Sequence, residues 1–200
     1  MSDHYYSKKP QSKSNPKTQD YQLLGRTYRL TTDTGVFSKN QIDYGTRLLI
    51  ESFKSPSING KLLDLGCGYG PLGVAIADHF PERKIVLVDI NERAISLAQK
   101  NIDQNNIKNA EVILSDGLLQ IRNYQFAAIL TNPPIRAGKK VVYQMFEDSK
   151  DALYKGGELW IVIQKKQGAP SAKNKLEELF QSVDIVTRKK GYYIIRAIKG

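Results

Sequence analysis

Apolar residues recur along the chain with two different spacings. Spacings of three and four residues, which are typical of helices, predict five helices over 41–53, 71–80, 91–106, 140–155 and 171–180. Short continuous apolar runs predict strands over 61–67, 84–90, 110–116, 126–132 and 157–164. The segment 183–198 predicts two further strands that meet at Lys190 and Gly191.

Three residues mark the expected starts of helices. Pro71 suits a first helical turn, because the N–H that proline lacks has no partner there. Asn91 and Ser171 are expected N-caps, because their side chains can accept hydrogen bonds from the first free N–H groups of a helix.

The alternation of strands and helices predicts an α/β fold with a doubly wound, seven-stranded and mostly parallel sheet. The last hairpin should add one antiparallel strand. Residues 21–33 predict a short hairpin around Gly25, so the main domain is expected over 21–200 with a small N-terminal hairpin and helix extension. Residues 1–20 are polar and lysine-rich, and we expect a basic tail that is at least partly mobile.

The net positive charge of the chain favours polyanionic binding partners. The chain carries 30 Lys and Arg against 20 Asp and Glu, a formal net charge of +10, which favours nucleic acid before an acidic membrane surface. One cysteine excludes an internal disulfide, and with two histidines no metal cluster is expected. We find no signal peptide and no membrane-length apolar stretch, so a soluble, cytoplasmic protein is expected.

The first strand of the sheet leads into a glycine loop in which Asp64, Gly66, Gly68 and Gly70 alternate with other residues. Glycine lets a ligand approach the backbone closely, and ligands of such sheets lie beyond the carboxyl ends of the strands. The third glycine comes one position too early for a dinucleotide fingerprint, which disfavours an NAD-dependent oxidoreductase. The DxGxGxG form resembles the first motif of class I S-adenosylmethionine-dependent methyltransferases. Cys67, with no base evident beside it, is interpreted as a small loop residue, not a nucleophile.

The next two strand ends carry further candidates for cofactor binding. Asp89 follows the loop by roughly twenty residues, where a carboxylate can accept hydrogen bonds from two ribose hydroxyls. Ile90 follows it directly. Asp116 and Gly117 stand at the end of the third strand, where the resemblance implies contact with an adenine ring; an ordinary turn is the other interpretation of Asp116.

The fourth strand ends in Thr131, Asn132, Pro133 and Pro134, at a corner expected beside the glycine loop. NPP resembles the fourth motif of methyltransferases that act on planar nitrogens. An exocyclic amine is a poor nucleophile, and the Asn132 side-chain oxygen and the Pro133 carbonyl could each accept one of its N–H groups. Two prolines would fix that carbonyl, so catalysis would come from proximity and oriented acceptors, with Asn132 also beside the cofactor. An ordinary Asn-Pro turn is the alternative.

Ile135 and Arg136 follow, where this motif usually has an aromatic residue. Ile135 could press on one face of a base, and the guanidinium of Arg136 could stack on the other face.

Basic pairs follow two of the predicted strands. Lys139 and Lys140 come after the fourth strand, Lys165 and Lys166 after the fifth, and 188–190 precede the last turn. These side chains are expected around the pocket, where they would bind RNA phosphates without reading sequence; scattered surface lysines are the alternative. A target base would have to be unpaired or flipped out.

In this order the motifs resemble the methyltransferase small-domain family, which includes RsmC-type guanine-N2 enzymes of small-subunit ribosomal RNA. The resemblance covers about 20–200, and its most specific part is GVFSKNQIDYGTRLLIES at 35–52. It implies that Phe37 and Ser38 line an S-adenosylmethionine pocket. Asp43 and Gly45 match the motif, although a helix start explains them as well.

The resemblance leaves several functions open. The leading one is methylation of guanine N2 in small-subunit ribosomal RNA or an assembly intermediate. Adenine-N6 methylation of nucleic acid and glutamine methylation of protein use a similar corner. A non-catalytic RNA-binding or assembly module on the same fold is the remaining alternative.

Overall fold

A seven-stranded sheet forms the centre of the fold. The computed structural model describes residues 12–38 and 41–200, so the part of the predicted tail at 1–11 lies outside the described residues. Two N-terminal strands, β1 (Lys17–Leu23) and β2 (Arg26–Thr32), form an antiparallel pair of their own. The strands of the sheet are β3 (Lys61–Leu65), β4 (Ile85–Asp89), β5 (Ala110–Leu114), β6 (Phe126–Thr131), β7 (Leu153–Gln164), β8 (Ser182–Lys189) and β9 (Tyr192–Ile198).

The sheet has the order β5-β4-β3-β6-β7-β9-β8. Pairs from β5 to β7 are parallel, and β9 runs antiparallel to both of its neighbours. The predicted doubly wound α/β fold, with one antiparallel strand from the last hairpin, is therefore confirmed. The strand order reverses between β3 and β6, which is where sheets of this kind open a crevice at their carboxyl edge.

Five helices cover the two faces of the sheet within the described ranges. They are α1 (Tyr44–Ser52), α2 (Pro71–His79), α3 (Glu92–Gln104), α4 (Lys139–Ala152) and α5 (Ala169–Leu179). Leu49, Ile76 and Ala98, from α1, α2 and α3, are buried in one core. Phe146 and Leu176, from α4 and α5, are buried in a second core on the other face. Burial on both faces explains the continuous apolar runs of the strands.

A buried amide on α3 is one of the groups that attach the N-terminal hairpin to the rest of the fold. Asn101 of α3 accepts a hydrogen bond from Thr31 N at 2.7 Å and donates to Thr31 O at 2.9 Å. The same amide donates to the carbonyl of Tyr69, in the glycine loop, at 2.7 Å. A fully buried amide needs its partners, so this residue fixes the hairpin against the loop.

The ordered part of the described chain begins before residue 21. The strand β1 starts at Lys17, and Asp33 accepts hydrogen bonds from Ser14 Oγ and Asn15 N, both at 2.6 Å. The expected boundary between tail and domain therefore falls inside a strand.

Several element ends differ from the sequence-based expectation, among them the start of α5 and the start of β7. The prediction that Ser171 caps the last helix is wrong, because Gly168 is the N-cap with a φ of 97° and the helix begins at Ala169. Ser171 lies in the first turn, where its hydroxyl donates to the carbonyl of Gly168 at 3.0 Å. The strand expected from residue 157 starts at Leu153, and Gly156, with a φ of 76°, lies within it.

The helix α2 approaches β4 so closely that only glycine fits at position 73. A Cβ on Gly73 would lie 2.3 Å from a methyl group of Leu87, which is fully buried. Glycine inside a helix is otherwise unfavourable, so the close packing explains this residue.

Gly73→Ala should lower the free energy of unfolding by about 1–3 kcal/mol, because the new methyl group overpacks the contact with Leu87. Helix propensity alone would change stability in the opposite direction. Urea unfolding of this variant, of Leu87→Ala and of the double variant measures the contact. The double variant should lose less free energy of unfolding than the sum of the losses in the two single variants. Losses that simply add would contradict the packing explanation.

Candidate active site

The candidate site lies at the point where the strand order reverses. The chain after β3 enters α2 on one face of the sheet, whereas the chain after β6 enters α4 on the other face. The glycine loop and the Asn-Pro-Pro corner therefore meet at the same carboxyl edge. Ligands of open α/β sheets bind in such a crevice.

The glycine loop combines left-handed backbone with open space. Gly66, Gly68 and Gly70 have φ values of 77°, 56° and 86°, which other residues rarely adopt. A Cβ on Gly66 or Gly68 would meet nothing within 4 Å, whereas one on Gly70 would lie 3.2 Å from the Cβ of Ala98. The first two glycines thus present bare backbone to the crevice, and the third allows α2 and α3 to pack.

Two carboxylates hold the glycine loop and the start of the helix that follows it. Asp64 is buried under the loop and accepts a hydrogen bond from Gly73 N at 2.8 Å, and its burial raises its pKa to about 7. Asp89 accepts from Gly68 N at 2.8 Å and from Asn91 N at 2.9 Å, and burial raises its pKa as well. Asp64 therefore supports the site through the backbone, whereas Asp89 lies half-buried at its rim.

Cys67 is held within the loop. Its N–H donates to the carbonyl of Val88 at 2.9 Å, and its thiol donates to the carbonyl of Gly68 at 3.4 Å. Burial raises the pKa of this thiol well above its ordinary value. A buried, protonated thiol is a poor nucleophile, which supports its interpretation as a small loop residue.

The turn after β5 lies beside Asp89. The strand ends at Leu114, two residues earlier than expected, and Ser115 N donates to the carbonyl of Asp89 at 2.9 Å. Asp116 is exposed, and Gly117 has a φ of 54° with open space where a Cβ would point. Ile90 is half-buried next to Asp89. The structure thus brings these predicted cofactor residues to one edge; their contacts with a cofactor stay a prediction.

The segment that contains Phe37 and Ser38 is attached to the same edge. Asn91 Nδ2 donates to the carbonyl of Gly35 at 2.9 Å, and the Asn91 Oδ1 caps α3 as predicted. Ser38 has a φ of 58° and donates its hydroxyl to the carbonyl of Gln41. The segment 35–38 therefore lies over the turn that follows Asp89.

The Asn132 side chain has a defined orientation. Thr131, fully buried at the end of β6, donates to the carbonyl of Leu65 at 2.8 Å and so ties the corner to the end of β3. The Nδ2 of Asn132 donates to Asp43 Oδ2 at 3.1 Å and to Thr46 Oγ1 at 3.0 Å. Both amide hydrogens are thereby used. No donor among residues 12–38 and 41–200 reaches its Oδ1, which is left as an acceptor.

The two prolines form a tight turn. Pro134 has a φ of −76° and a ψ of 75°, and Ile135 N donates to the carbonyl of Pro133 at 2.8 Å, which together define an inverse γ-turn. The carbonyl predicted as the second acceptor therefore already accepts one hydrogen bond and keeps one lone pair. Ile135 is half-buried against the second core, whereas Arg136 is exposed.

The basic clusters lie at the carboxyl edge of the sheet. Lys139 and Lys140 follow β6, Lys165 and Lys166 follow β7, and all four are exposed. Residues 188–190 close β8, which runs parallel to these strands.

An open cleft of about 570 Å³ joins two of these clusters, and it is lined by Gln164, Lys165, Lys166, Lys190 and Gly191. Lys190 Nζ lies 5.0 Å from the ring centre of Tyr44, the first residue of α1. The cleft therefore adjoins the helix that carries the partners of Asn132.

Sequence reasoning missed Thr46 and the contacts of Asp43 with the corner. The motif that contains Asp43 and Gly45 did mark a helix start, and Asp43 is the N-cap of α1, with Thr46 N donating to its carboxylate at 3.2 Å. No local pattern connects this cap with Asn132, which lies 89 residues further on.

Comparison with known proteins identifies the family of the chain. The family model of the methyltransferase small domain matches residues 27–196. The chain belongs to the methyltransferase small-domain family. The predicted resemblance is confirmed, and S-adenosylmethionine is the cofactor, as predicted.

Several relatives are similar over most of this chain. The uncharacterized protein YbxB of Bacillus subtilis is 55% identical over the whole length of both proteins. Ribosomal RNA large subunit methyltransferase G of Streptomyces avermitilis is 31% identical over 88% of this chain and 46% of its own length. The 16S rRNA N2 methyltransferase RsmC of T. thermophilus, solved with AdoMet and guanosine, has a TM-score of 0.82 at 25% identity, over 92% of this chain and 51% of that chain. The chain spans about half the length of these two methyltransferases.

The crevice residues fit S-adenosylmethionine. Bare backbone at Gly66 and Gly68 leaves room for a ligand, and the half-buried carboxylate of Asp89 offers acceptors to ribose hydroxyls. Within the described ranges, no group of three His, Cys, Asp or Glu residues could hold a metal. None of the helices that the structure describes is both long and apolar enough to cross a membrane.

Asp64 should make the chain less stable as the pH rises from about 4 to about 7. Its pKa is raised to about 7 in the folded chain, so over this range the folded state binds more protons than the unfolded state. Urea unfolding without added cofactor, at several pH values, should show that Asp64→Asn removes part of this loss of stability. Asp116→Asn, at an exposed turn, is the control. Parallel pH profiles for Asp64→Asn and the unmodified chain would contradict the assignment.

Proposed function

We propose that this protein transfers a methyl group from S-adenosylmethionine to an exocyclic amine in RNA, namely guanine N2 of ribosomal RNA. The observation that carries the proposal is the orientation of the Asn132 amide, whose oxygen is the acceptor left over at the edge that also holds the glycine loop. The names of two relatives support ribosomal RNA as the substrate class. Guanine N2 is supported by RsmC, described as an N2 methyltransferase and solved with guanosine.

The proposed chemistry rests on oriented acceptors. S-adenosylmethionine supplies an electrophilic methyl group when bound. The lone pair of an exocyclic amine is delocalised into the base, and Asn132 Oδ1 would accept one N–H and so fix the direction of that lone pair. The remaining lone pair of the Pro133 carbonyl would accept the other N–H. An amide is not a base, so the proton leaves to solvent after methyl transfer, and positioning supplies most of the rate enhancement.

The distribution of lysines supports a polyanionic substrate. The first turn of α4 carries Lys139 and Lys140 and no acidic residue, although the positive end of a helix dipole disfavours cations there. Lys165, Lys166 and Lys190 line the cleft on the other side of the corner. Lysines thus occur at an unfavourable helix start and again along the same carboxyl edge of the sheet. Such a distribution is typical of a surface that binds phosphates.

Asn132→Ala should lower the methylation rate by a factor of about 100 or more, because an oriented acceptor at the reacting amine is lost. Calorimetry with S-adenosylmethionine should give nearly unchanged affinity. The assay measures radiolabel transferred to 16S and 23S RNA and to ribosomal assembly intermediates.

Asn59→Ala is the matched control for this assay. Asn59 is exposed and lies two residues before the amino end of β3, at the opposite edge of the sheet, so its loss should leave transfer unchanged. Full activity of Asn132→Ala would refute the mechanism. Nucleoside digestion of the product decides between guanine N2 and adenine N6, and label in protein would contradict an RNA substrate. RNA binding without turnover would favour a non-catalytic module.

The double variant Lys165→Glu and Lys166→Glu should weaken RNA binding and leave the affinity for S-adenosylmethionine unchanged. Each lost phosphate contact should make the slope of log affinity against log salt concentration less steep by about 0.7. Two lost contacts should therefore reduce the magnitude of this slope by about 1.4. Binding of ribosomal RNA fragments is measured by fluorescence anisotropy at several salt concentrations.

Lys54→Glu with Lys155→Glu makes the same change in charge. Lys54 is exposed just past the end of α1, and Lys155 is exposed in the first part of β7, away from the proposed pocket. If both double variants weaken binding equally, the effect is one of net charge, and the placement of the binding surface is wrong.

A further inference from the structure

We propose that Asp43 is a positioning residue that holds the Asn132 amide with its oxygen toward the substrate. This inference rests on the proposed function, because the orientation of the amide matters for catalysis only if Asn132 accepts a hydrogen bond from the reacting amine. Asp43 does not touch the substrate in this account. It acts through the side chain of Asn132.

The chemistry of a carboxylate selects one of the two possible amide orientations. An ionised carboxylate has only acceptors, so it must face the NH₂ group of Asn132 and not its oxygen. The Nδ2 of Asn132 lies 3.1 Å from Asp43 Oδ2. Rotation of the amide by 180° would place two oxygens in contact and lose a charge-assisted hydrogen bond.

Thr46 cannot make this selection by itself. Its hydroxyl accepts from Asn132 Nδ2 at 3.0 Å, but a hydroxyl can equally donate to an oxygen if the amide is reversed. Thr46 therefore uses the second amide hydrogen, whereas Asp43 determines which end of the amide faces the crevice.

The carboxylate of Asp43 is itself held in place. The carboxylate caps α1 by accepting a hydrogen bond from Thr46 N at 3.2 Å. The backbone carbonyl of Asp43 accepts a hydrogen bond from Arg47 N at 3.0 Å. The first turn of α1 packs tightly on β9, because a Cβ on Gly45 would lie 2.8 Å from the ring of Tyr192. The helix start can therefore not move away from the corner without losing this packing, and the positive end of α1 stabilises the charge of the carboxylate.

Asp43→Asn separates positioning from capping. Asparagine is as good an N-cap as aspartate, so the urea midpoint of unfolding should stay close to that of the unmodified chain. One oxygen of Asp43, Oδ2, accepts from both Thr46 N and Asn132 Nδ2, so an asparagine that keeps the cap still offers Asn132 an acceptor, but a neutral one that holds the NH₂ group more weakly. We expect kcat to fall by about threefold to tenfold, the difference between a hydrogen bond to a charged acceptor and one to a neutral acceptor. The KM for S-adenosylmethionine should not change.

A double-mutant cycle tests the inference directly. Single-turnover methyl transfer to ribosomal RNA is measured for Asp43→Asn, Asn132→Ala and the double variant. If Asp43 acts through Asn132, Asp43→Asn slows the reaction only when Asn132 is present. A similar slowing in the Asn132→Ala background would overturn positioning, and so would an unchanged kcat for Asp43→Asn.

NMR of the side-chain NH₂ groups supplies a readout that does not depend on activity. The Asn132 pair is identified as the signals absent from Asn132→Ala, and in the unmodified chain its two protons should be protected from exchange. Asp43→Asn should lower this protection, because the carboxylate acceptor is replaced by a neutral one. Protection that is unchanged in Asp43→Asn would overturn the inference. If Asn132→Ala retained full activity, the proposed function would fail even though the protection showed that the amide is held.

Discussion

The hydrogen bond from Thr131 to the carbonyl of Leu65 joins the two halves of the candidate site. Leu65 ends the strand that enters the glycine loop, and Thr131 ends the strand that enters the proline corner. The segments that follow these two strands leave toward opposite faces of the sheet. The distance between the glycine loop and the proline corner is therefore set where the strands end. Because both residues are buried, the bond is protected from water. In the proposed mechanism, the distance between the methyl donor at the loop and the acceptor at the corner depends on this bond.

Carboxylates and lysines lie at different distances from this hydrogen bond. Carboxylates lie close to it: Asp64 beneath the loop, Asp89 at its side and Asp43 behind the corner, each accepting backbone N–H groups. Lysines lie further out, at the starts of the segments that follow β6, β7 and β8. The inner carboxylates orient backbone and amide groups, and the outer cations suit a long anionic ligand. Part of the chain's excess of basic residues therefore lies where it can act on a substrate.

The sheet and the loops at its edge could be predicted because their signals are local. Continuous apolar runs, the glycine spacing and the Asn-Pro-Pro sequence each report on neighbours in the chain. The start of α5 could not be predicted from Ser171, because Gly168 takes a left-handed conformation that a serine pattern does not reveal. The orientation of Asn132 was equally hidden, since its partners belong to a helix 86 and 89 residues earlier. Predictions that concern single hydrogen bonds between distant segments need coordinates.

In the proposed reaction, Asn132 Oδ1 accepts a hydrogen bond from the amine that is methylated. A crystal structure with S-adenosylhomocysteine and guanosine would show this contact. We expect the guanine N2 within about 3 Å of Asn132 Oδ1, with the Asn132 NH₂ group still on Asp43 and Thr46. A guanine whose N2 lies away from this corner, or an Asn132 oxygen turned toward Asp43, would contradict it.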